Sequence, residues 1–126
     1  FLRSDHMKKG EIYYGRKNTD SIHPIVFLKE KDGDFFYGVM LTHSGEFEDN
    51  VPMLEKHFEK RNEVGKDYEL YFDNSCFVRV KLLKRLEWAP FRKIGQLSVD
   101  GINFVESNLG GAGVVWEDYR IPKEYQ

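Results

Sequence analysis

The chain has 126 residues and a mass of 14.9 kDa, which suits one compact domain better than two. Apolar residues make up 40% and charged residues 32%, a balance that excludes a disordered chain. The net charge of −2 excludes a positive field over the whole molecule, so contact with nucleic acid would need a local patch. The lone Cys76 excludes a disulfide framework and a cysteine-based zinc cluster, and it fits the cytoplasmic location that we predict. No stretch approaches the roughly 18 apolar residues of a membrane span, so no membrane partner is expected.

The first residues divide into a short preamble and a β-forming start. Residues 1–6 precede Met7, and we interpret them as a cloning remnant ahead of a single domain over 7–126. Residues 11–14 (Glu-Ile-Tyr-Tyr) predict a first strand. The polar, turn-rich stretch 16–23 then predicts an exposed loop.

Two further strands and a hairpin are predicted next. Residues 25–28 form a short unbroken apolar run of the kind found in buried strands. Lys-Asp-Gly-Asp at 31–34 is a hairpin signal, and 35–41 is the returning strand. Three antiparallel strands within so short a stretch favour a small barrel or meander over a helical bundle.

The middle of the chain is acidic. Residues 46–74 carry nine acidic residues against four Lys or Arg. Leu54 and the positions three and four residues later show helical spacing, which predicts a short helix over 51–62. Residues 68–72 are expected to form another strand, followed by a turn at 73–74.

The charge changes sign after this region. Residues 75–93 carry six Lys or Arg and one acid, and we call them the basic segment. Within it, 76–82 alternates apolar and cationic positions and predicts a strand, and 86–89 predicts the next. Cys76 is expected to be a small buried hydrophobe in the first of these strands.

A C-terminal helix is predicted over 99–109. Ser98 is suited to the N-cap, and Gly110 ends the helix. The expected core-facing residues are Ile102, Val105 and Leu109. Residues 110–113 predict a hinge, and 114–126 a strand or a docked extension.

Polar residues gather where two of the predicted strands begin and end. His23 precedes the second strand, and Thr42, His43 and Ser44 follow the third. Because these strands are antiparallel neighbours, the start of one and the end of the other are expected at the same edge of the sheet. Imidazoles suit proton transfer near neutral pH, and hydroxyls suit phosphate oxygens. The histidines match no zinc motif, so no metal and no cofactor are expected.

Several segments together resemble the MazF/PemK (Kid-like) toxin family. They are Lys-Gly-Glu-Ile-Tyr-Tyr at 9–14, His-Pro-Ile-Val-Phe-Leu at 23–28, Val-Met-Leu-Thr-His-Ser at 39–44, Ser-Cys-Phe-Val-Arg-Val-Lys at 75–81 and Arg-Lys-Ile-Gly-Gln-Leu-Ser at 92–98. The resemblance implies an SH3-like bent β-barrel with a short inserted helix and a C-terminal helix. It also implies a homodimer that cleaves single-stranded RNA without a metal and is neutralised by an antitoxin protein.

The resemblance also suggests roles for individual residues. Thr42 matches the family's strand-end threonine and would orient the phosphate. Arg79 matches a strand arginine that Kid-like members keep, and we expect it to hold the developing negative charge, with Arg16 or Lys81. His23 stands where the family has an arginine before proline, and Lys81 where it has an acidic base. We therefore expect His23 to take the proton from a ribose 2′-OH. The remaining RNA contacts are expected from Arg16, Lys17, Ser44, Lys81, Lys84 and Arg85.

Two alternatives stay open. In the first, the same fold has lost catalysis and binds nucleic acid or a protein through the same edge, with phosphates held by the basic segment and bases stacked on Tyr13, Trp88 or Phe91. For Trp88 and Phe91, core packing is the favoured interpretation. In the second, residues 46–74 and 114–126 serve protein–protein contacts alone.

Overall fold

A computed structural model describes residues 7–14, 24–31, 35–43, 50–73, 76–78, 82–84 and 91–109. This part of the chain is mostly β, with one α-helix. The strands are β1 (Glu11–Tyr14), β2 (Pro24–Glu30), β3 (Phe35–Thr42), β4 (Asn50–Pro52), β5 (Cys76–Val78), β6 (Leu82–Lys84) and β7 (Arg92–Gln96). A short 3-10 helix spans Glu55–His57, and the α-helix, α1, spans Val99–Ser107. Among these residues no helix is long and apolar enough to cross a membrane.

The strands form one antiparallel sheet in the order β4-β5-β3-β2-β1-β7, and β6 also pairs with β3. The predicted meander of β1, β2 and β3 is confirmed. Over the described strands β4 and β7 are the two ends of the sheet and do not pair with each other. One register shift occurs in the β1–β7 pairing between Ile12 and Tyr13, and another in the β2–β3 pairing between Phe27 and Lys29. Such irregularities bend strands locally.

The sheet is buried on both faces. Val26, Leu28, Val39 and Leu41 belong to one apolar cluster, together with residues of α1 and of the 50–73 segment. The alternate positions of the same strands belong to a second cluster, whose members are Met7, Tyr13, Ile25, Phe27, Phe36, Met40 and Phe91. Because successive strand residues point to opposite faces, burial of both faces explains why 25–28 is an unbroken apolar run.

The C-terminal helix follows the prediction closely. Ser98 is its N-cap, and its hydroxyl oxygen accepts a hydrogen bond from the backbone N–H of Gly101 at 3.1 Å. Val105 is fully buried, and Ile102 and Leu109 pack against the first cluster. The helix ends at Ser107, shortly before the predicted residue 109.

The predicted helix over 51–62 is wrong. Residues Asn50–Pro52 form β4, and the 3-10 helix that follows is a single turn. Phe58 forms an isolated bridge with Leu97, so its side chain reaches the core from an extended backbone. Leu54, the first residue of the supposed helical stripe, is 55% exposed.

The predicted strand over 68–72 is also wrong. The N–H of Tyr68 donates to the carbonyl of Lys60, whereas the N–H of Leu70 donates to the carbonyl of Ile94 on β7. Since these bonds go to two different segments, no continuous ladder forms. Of the predicted strand 76–82, residues 76–78 form β5 and residue 82 begins β6, and both of these strands pair with β3. Residues 79–81 lie outside the described part of the chain. The predictions for 86–89, the 110–113 hinge and the 114–126 tail lie outside the described residues.

Candidate functional site

The strand register brings several strand ends to one edge of the sheet. Tyr14, the last residue of β1, pairs with Pro24, the first residue of β2. Thr42, the last residue of β3, pairs with Cys76, the first residue of β5. Met40 is flanked by Ile25 on β2 and by Val78 on β5. We call this end of the sheet the candidate edge. The predicted meeting of the start of β2 with the end of β3 is confirmed.

Thr42 and His43 occupy the β3 end of the candidate edge. Thr42 is half-buried, and the His43 side chain that follows it is 73% exposed. The Nε2 atom of His43 lies 3.7 Å from Oδ2 of Asp73, whose side chain is 80% exposed. Asp73 comes three residues before Cys76, so the β3–β5 pairing brings both members of this His–Asp pair to the same end of the sheet. A hydroxyl, an imidazole and a carboxylate thus come from neighbouring positions.

A second polar group lies at the same end of β1 and β7. Tyr14 pairs with Arg92 across these strands, and the guanidinium carbon lies 5.3 Å from the centroid of the Tyr14 ring. Both terminal nitrogens of Arg92 donate to the two carboxylate oxygens of Glu69. The hydrogen bond to Arg92 lowers the pKa of Glu69, and the hydrogen bond to Glu69 raises the pKa of Arg92. The planar fork of arginine suits both a carboxylate and an aromatic face.

The other basic-segment cation with a described side chain is also paired. Lys93 Nζ lies 2.8 Å from Oε2 of Glu11, whose other oxygen accepts from the hydroxyl of Tyr13 at 2.6 Å and from the N–H of Lys8 at 2.5 Å. Burial by itself would raise the pKa of Glu11, but the hydrogen bonds from Lys93, Tyr13 and Lys8 lower it overall. Arg92 and Lys93 therefore have acidic partners within the chain and are not unpaired phosphate ligands.

Among the predicted site residues, Thr42 is the one whose side chain the structure describes. Lys84 ends β6, where it pairs with Phe35. The predictions for the remaining residues lie outside the described part of the chain, and these are His23, Arg79, Arg16, Lys17, Ser44, Lys81 and Arg85.

The aromatic residues proposed to stack on bases separate into two groups. Tyr13 is 1% exposed and Phe91 is 6% exposed, and both belong to the second apolar cluster. Base stacking on Tyr13 is therefore wrong, because its ring does not reach solvent, and core packing is confirmed for Phe91. Trp88 lies outside the described residues.

The sequence-based predictions assign no individual site role to Asp73, Glu69 or Arg92. The pattern there indicates a turn at Asp73 and a strand that includes Glu69. The charge pattern of the sequence gives no signal for the His43–Asp73 and Arg92–Glu69 pairs. The two members of each pair are far apart in sequence, and the fold of the sheet brings them together. Alternating charge along one helix face would have been visible in the sequence, but a pair across a sheet is not.

No protein-family model, curated protein or solved structure matches the chain. Within the described ranges no three His, Cys, Asp or Glu residues are grouped as a metal site.

Proposed function

We propose that this chain is a MazF/PemK-like endoribonuclease that cleaves single-stranded RNA by attack of a ribose 2′-OH, without a metal. The proposed scaffold is an SH3-like bent barrel that acts as a homodimer and is inhibited by an antitoxin protein. The observation that carries the proposal is the register at the candidate edge. Met40 on β3 has Ile25 on one side and Val78 on the other, and Thr42 ends the same strand.

This register matters because of the residues that adjoin it in sequence. His23 precedes Ile25 by two positions, Thr42 follows Met40 by two, and Arg79 follows Val78 directly. In antiparallel pairing, a step back along β2 corresponds to a step forward along β3. The register is therefore compatible with a base just before β2 and the Thr42 hydroxyl acting on one phosphodiester. A step forward along β5 from Val78 leads away from the candidate edge, so the role of Arg79 rests on the resemblance alone.

The proposed chemistry assigns one task to each residue. His23 takes the proton from the 2′-OH, whose oxygen then attacks the adjacent phosphorus. Thr42 donates its hydroxyl hydrogen to a phosphate oxygen, and Arg79 stabilises the added negative charge, with support from Arg16 or Lys81. The products are a 2′,3′-cyclic phosphate and a 5′-hydroxyl.

The decisive assay incubates the purified chain with a long single-stranded RNA of mixed sequence in EDTA. Cleavage should persist and leave 2′,3′-cyclic phosphate ends. Thr42→Val keeps the shape of the side chain and removes its hydroxyl, so it should slow cleavage by about 10²-fold, as loss of one transition-state donor does. Thr42→Ser is the matched control and should retain most activity. An inactive wild-type chain, or equal rates for the Val and Ser variants, would contradict the assignment.

The second candidate is a domain with this fold that binds nucleic acid or a protein without cleaving RNA. It is favoured by the two departures from the family pattern, His23 and Lys81. Within this candidate, the acidic partners of Arg92 and Lys93 leave fewer cations for phosphate, which favours a protein partner over nucleic acid. Retention of RNA at low salt with intact strands would favour RNA binding, whereas no retention would favour a protein partner.

A further inference from the structure

We propose that His43 is the general acid of this cleavage and that Asp73 is its positioning residue. This inference rests on the proposed function and adds to it the group that protonates the leaving oxygen. The proposed function names the base that removes the 2′-OH proton, but not the acid that protonates the leaving group. Such an acid is needed because the departing 5′ oxygen is a strongly basic alkoxide unless a proton reaches it.

The position of His43 meets the first requirement for this role. It directly follows Thr42, the residue proposed to hold the phosphate, and it lies one residue beyond the end of β3, where the alternation of side chains between the two faces of the strand stops. Its side chain is 73% exposed, so a bound RNA strand can reach the ring without any rearrangement of the core. A buried imidazole would not allow this contact. His57, the other described histidine, is 3% exposed and serves the core instead.

Asp73 meets the second requirement, which is orientation. Its Oδ2 atom faces Nε2 of His43 at 3.7 Å, a distance at which a carboxylate attracts the proton-bearing imidazolium. Because Nε2 is the ring nitrogen beside Asp73, we assign Nδ1 as the nitrogen that donates to substrate. The two residues come from the end of β3 and the approach to β5, which are joined by the pairing of Thr42 with Cys76.

The complete step then balances. His23 accepts the 2′-OH proton as the bond between O2′ and phosphorus forms. The bond between phosphorus and O5′ breaks, and the Nδ1 proton of the His43 imidazolium passes to O5′. His23 ends protonated and His43 ends neutral, and exchange of protons with solvent restores both. No metal, oxidant or reductant takes part.

The test measures the cleavage rates of the wild-type chain and of His43→Gln on two RNA substrates. After the wild-type cleavage bond is mapped, an oligonucleotide is synthesised with sulfur in place of O5′ at that bond. A thiolate leaves without protonation, so this substrate does not need a general acid. We expect His43→Gln to slow cleavage of the oxygen substrate by about 10²-fold and to cleave the sulfur substrate at nearly the wild-type rate. Asp73→Asn should show a smaller loss with the same dependence on the substrate.

The control for Asp73→Asn is Asp67→Asn. Asp67 is also exposed, and its partner at 2.9 Å is Arg61 and not a histidine, so its replacement should leave both rates unchanged. Equal losses on the oxygen and sulfur substrates, or no loss at all, would overturn the assignment of His43 while the proposed function stands. Absence of cleavage by the wild-type chain would overturn both. Because both side chains are largely exposed, circular dichroism should show unchanged folding of the variants.

Discussion

Gly101 lies in the first turn of α1 (Val99–Ser107), where the helix meets the backbone of His57. A methyl group at this position would be 2.1 Å from the carbonyl oxygen of His57 and 2.9 Å from its carbonyl carbon. Ordinary contact begins near 3.4 Å, so the two backbones would have to separate by about 1.3 Å. That carbonyl accepts the N–H of Ser98 at 2.9 Å. Gly101→Ala therefore tests whether this junction determines how α1 docks.

Two effects of opposite sign set the magnitude. Alanine is favoured over glycine within a helix by about 1 kcal/mol. Overpacking costs about 1–3 kcal/mol, and loss of the hydrogen bond from Ser98 adds about 1 kcal/mol. The clash is with backbone and is not relieved by rotation of a side chain. We therefore expect Gly101→Ala to lower the free energy of unfolding by about 1–3 kcal/mol. For a chain of this length, 2 kcal/mol corresponds to a fall in Tm of roughly 8 °C.

The assay is urea unfolding followed by circular dichroism, with thermal scans alongside. Asn103→Ala is the matched control, because Asn103 is an exposed residue of the same helix. It should gain a few tenths of a kcal/mol from helix propensity alone. If Gly101→Ala stabilises the protein as much as Asn103→Ala does, the close approach of α1 to His57 is refuted.

Three further variants test a buried histidine, a partly buried carboxylate and the N-cap of α1. Burial lowers the pKa of His57, and the nearby charge of Lys56 lowers it further. The Nδ1 atom of His57 accepts a hydrogen bond from the N–H of Leu54 at 2.9 Å. The folded protein therefore favours the neutral ring, and the free energy of unfolding should fall as pH drops below about 6.5. Thermal scans at several pH values should show this fall in Tm, and His57→Asn should make Tm depend less on pH. The pKa of Glu11 is also lowered, so its ionised carboxylate should stabilise the fold above about pH 4.5, and this stabilisation should be lost on acidification. In urea unfolding at neutral pH, Glu11→Gln should lower the free energy of unfolding by about 1–2 kcal/mol. Removal of the N-cap by Ser98→Ala should cost about 1 kcal/mol in urea unfolding, and a loss below about 0.3 kcal/mol would contradict the cap.

The sequence predicted well wherever a local pattern carried the information. Strands β1, β2 and β3 followed from apolar runs and from a turn signal between them, and α1 followed from the cap at Ser98 and its apolar spacing. Antiparallel neighbours joined by short connections also have their strand ends at predictable edges. For this reason the amino-acid sequence alone was enough to place Thr42 at the candidate edge.

Long-range pairing decided the rest. The helical spacing from Leu54 is a local pattern that the fold overrides, because Phe58 gains more by pairing with Leu97 and entering the core. The partners His43 and Asp73, and likewise Glu69 and Arg92, are separated in sequence and meet through the sheet. Composition and periodicity thus determined β1, β2, β3 and α1, but not the elements between residues 50 and 73. Tertiary structure decided which side chains face each other, because contacts between distant residues depend on strand order and register.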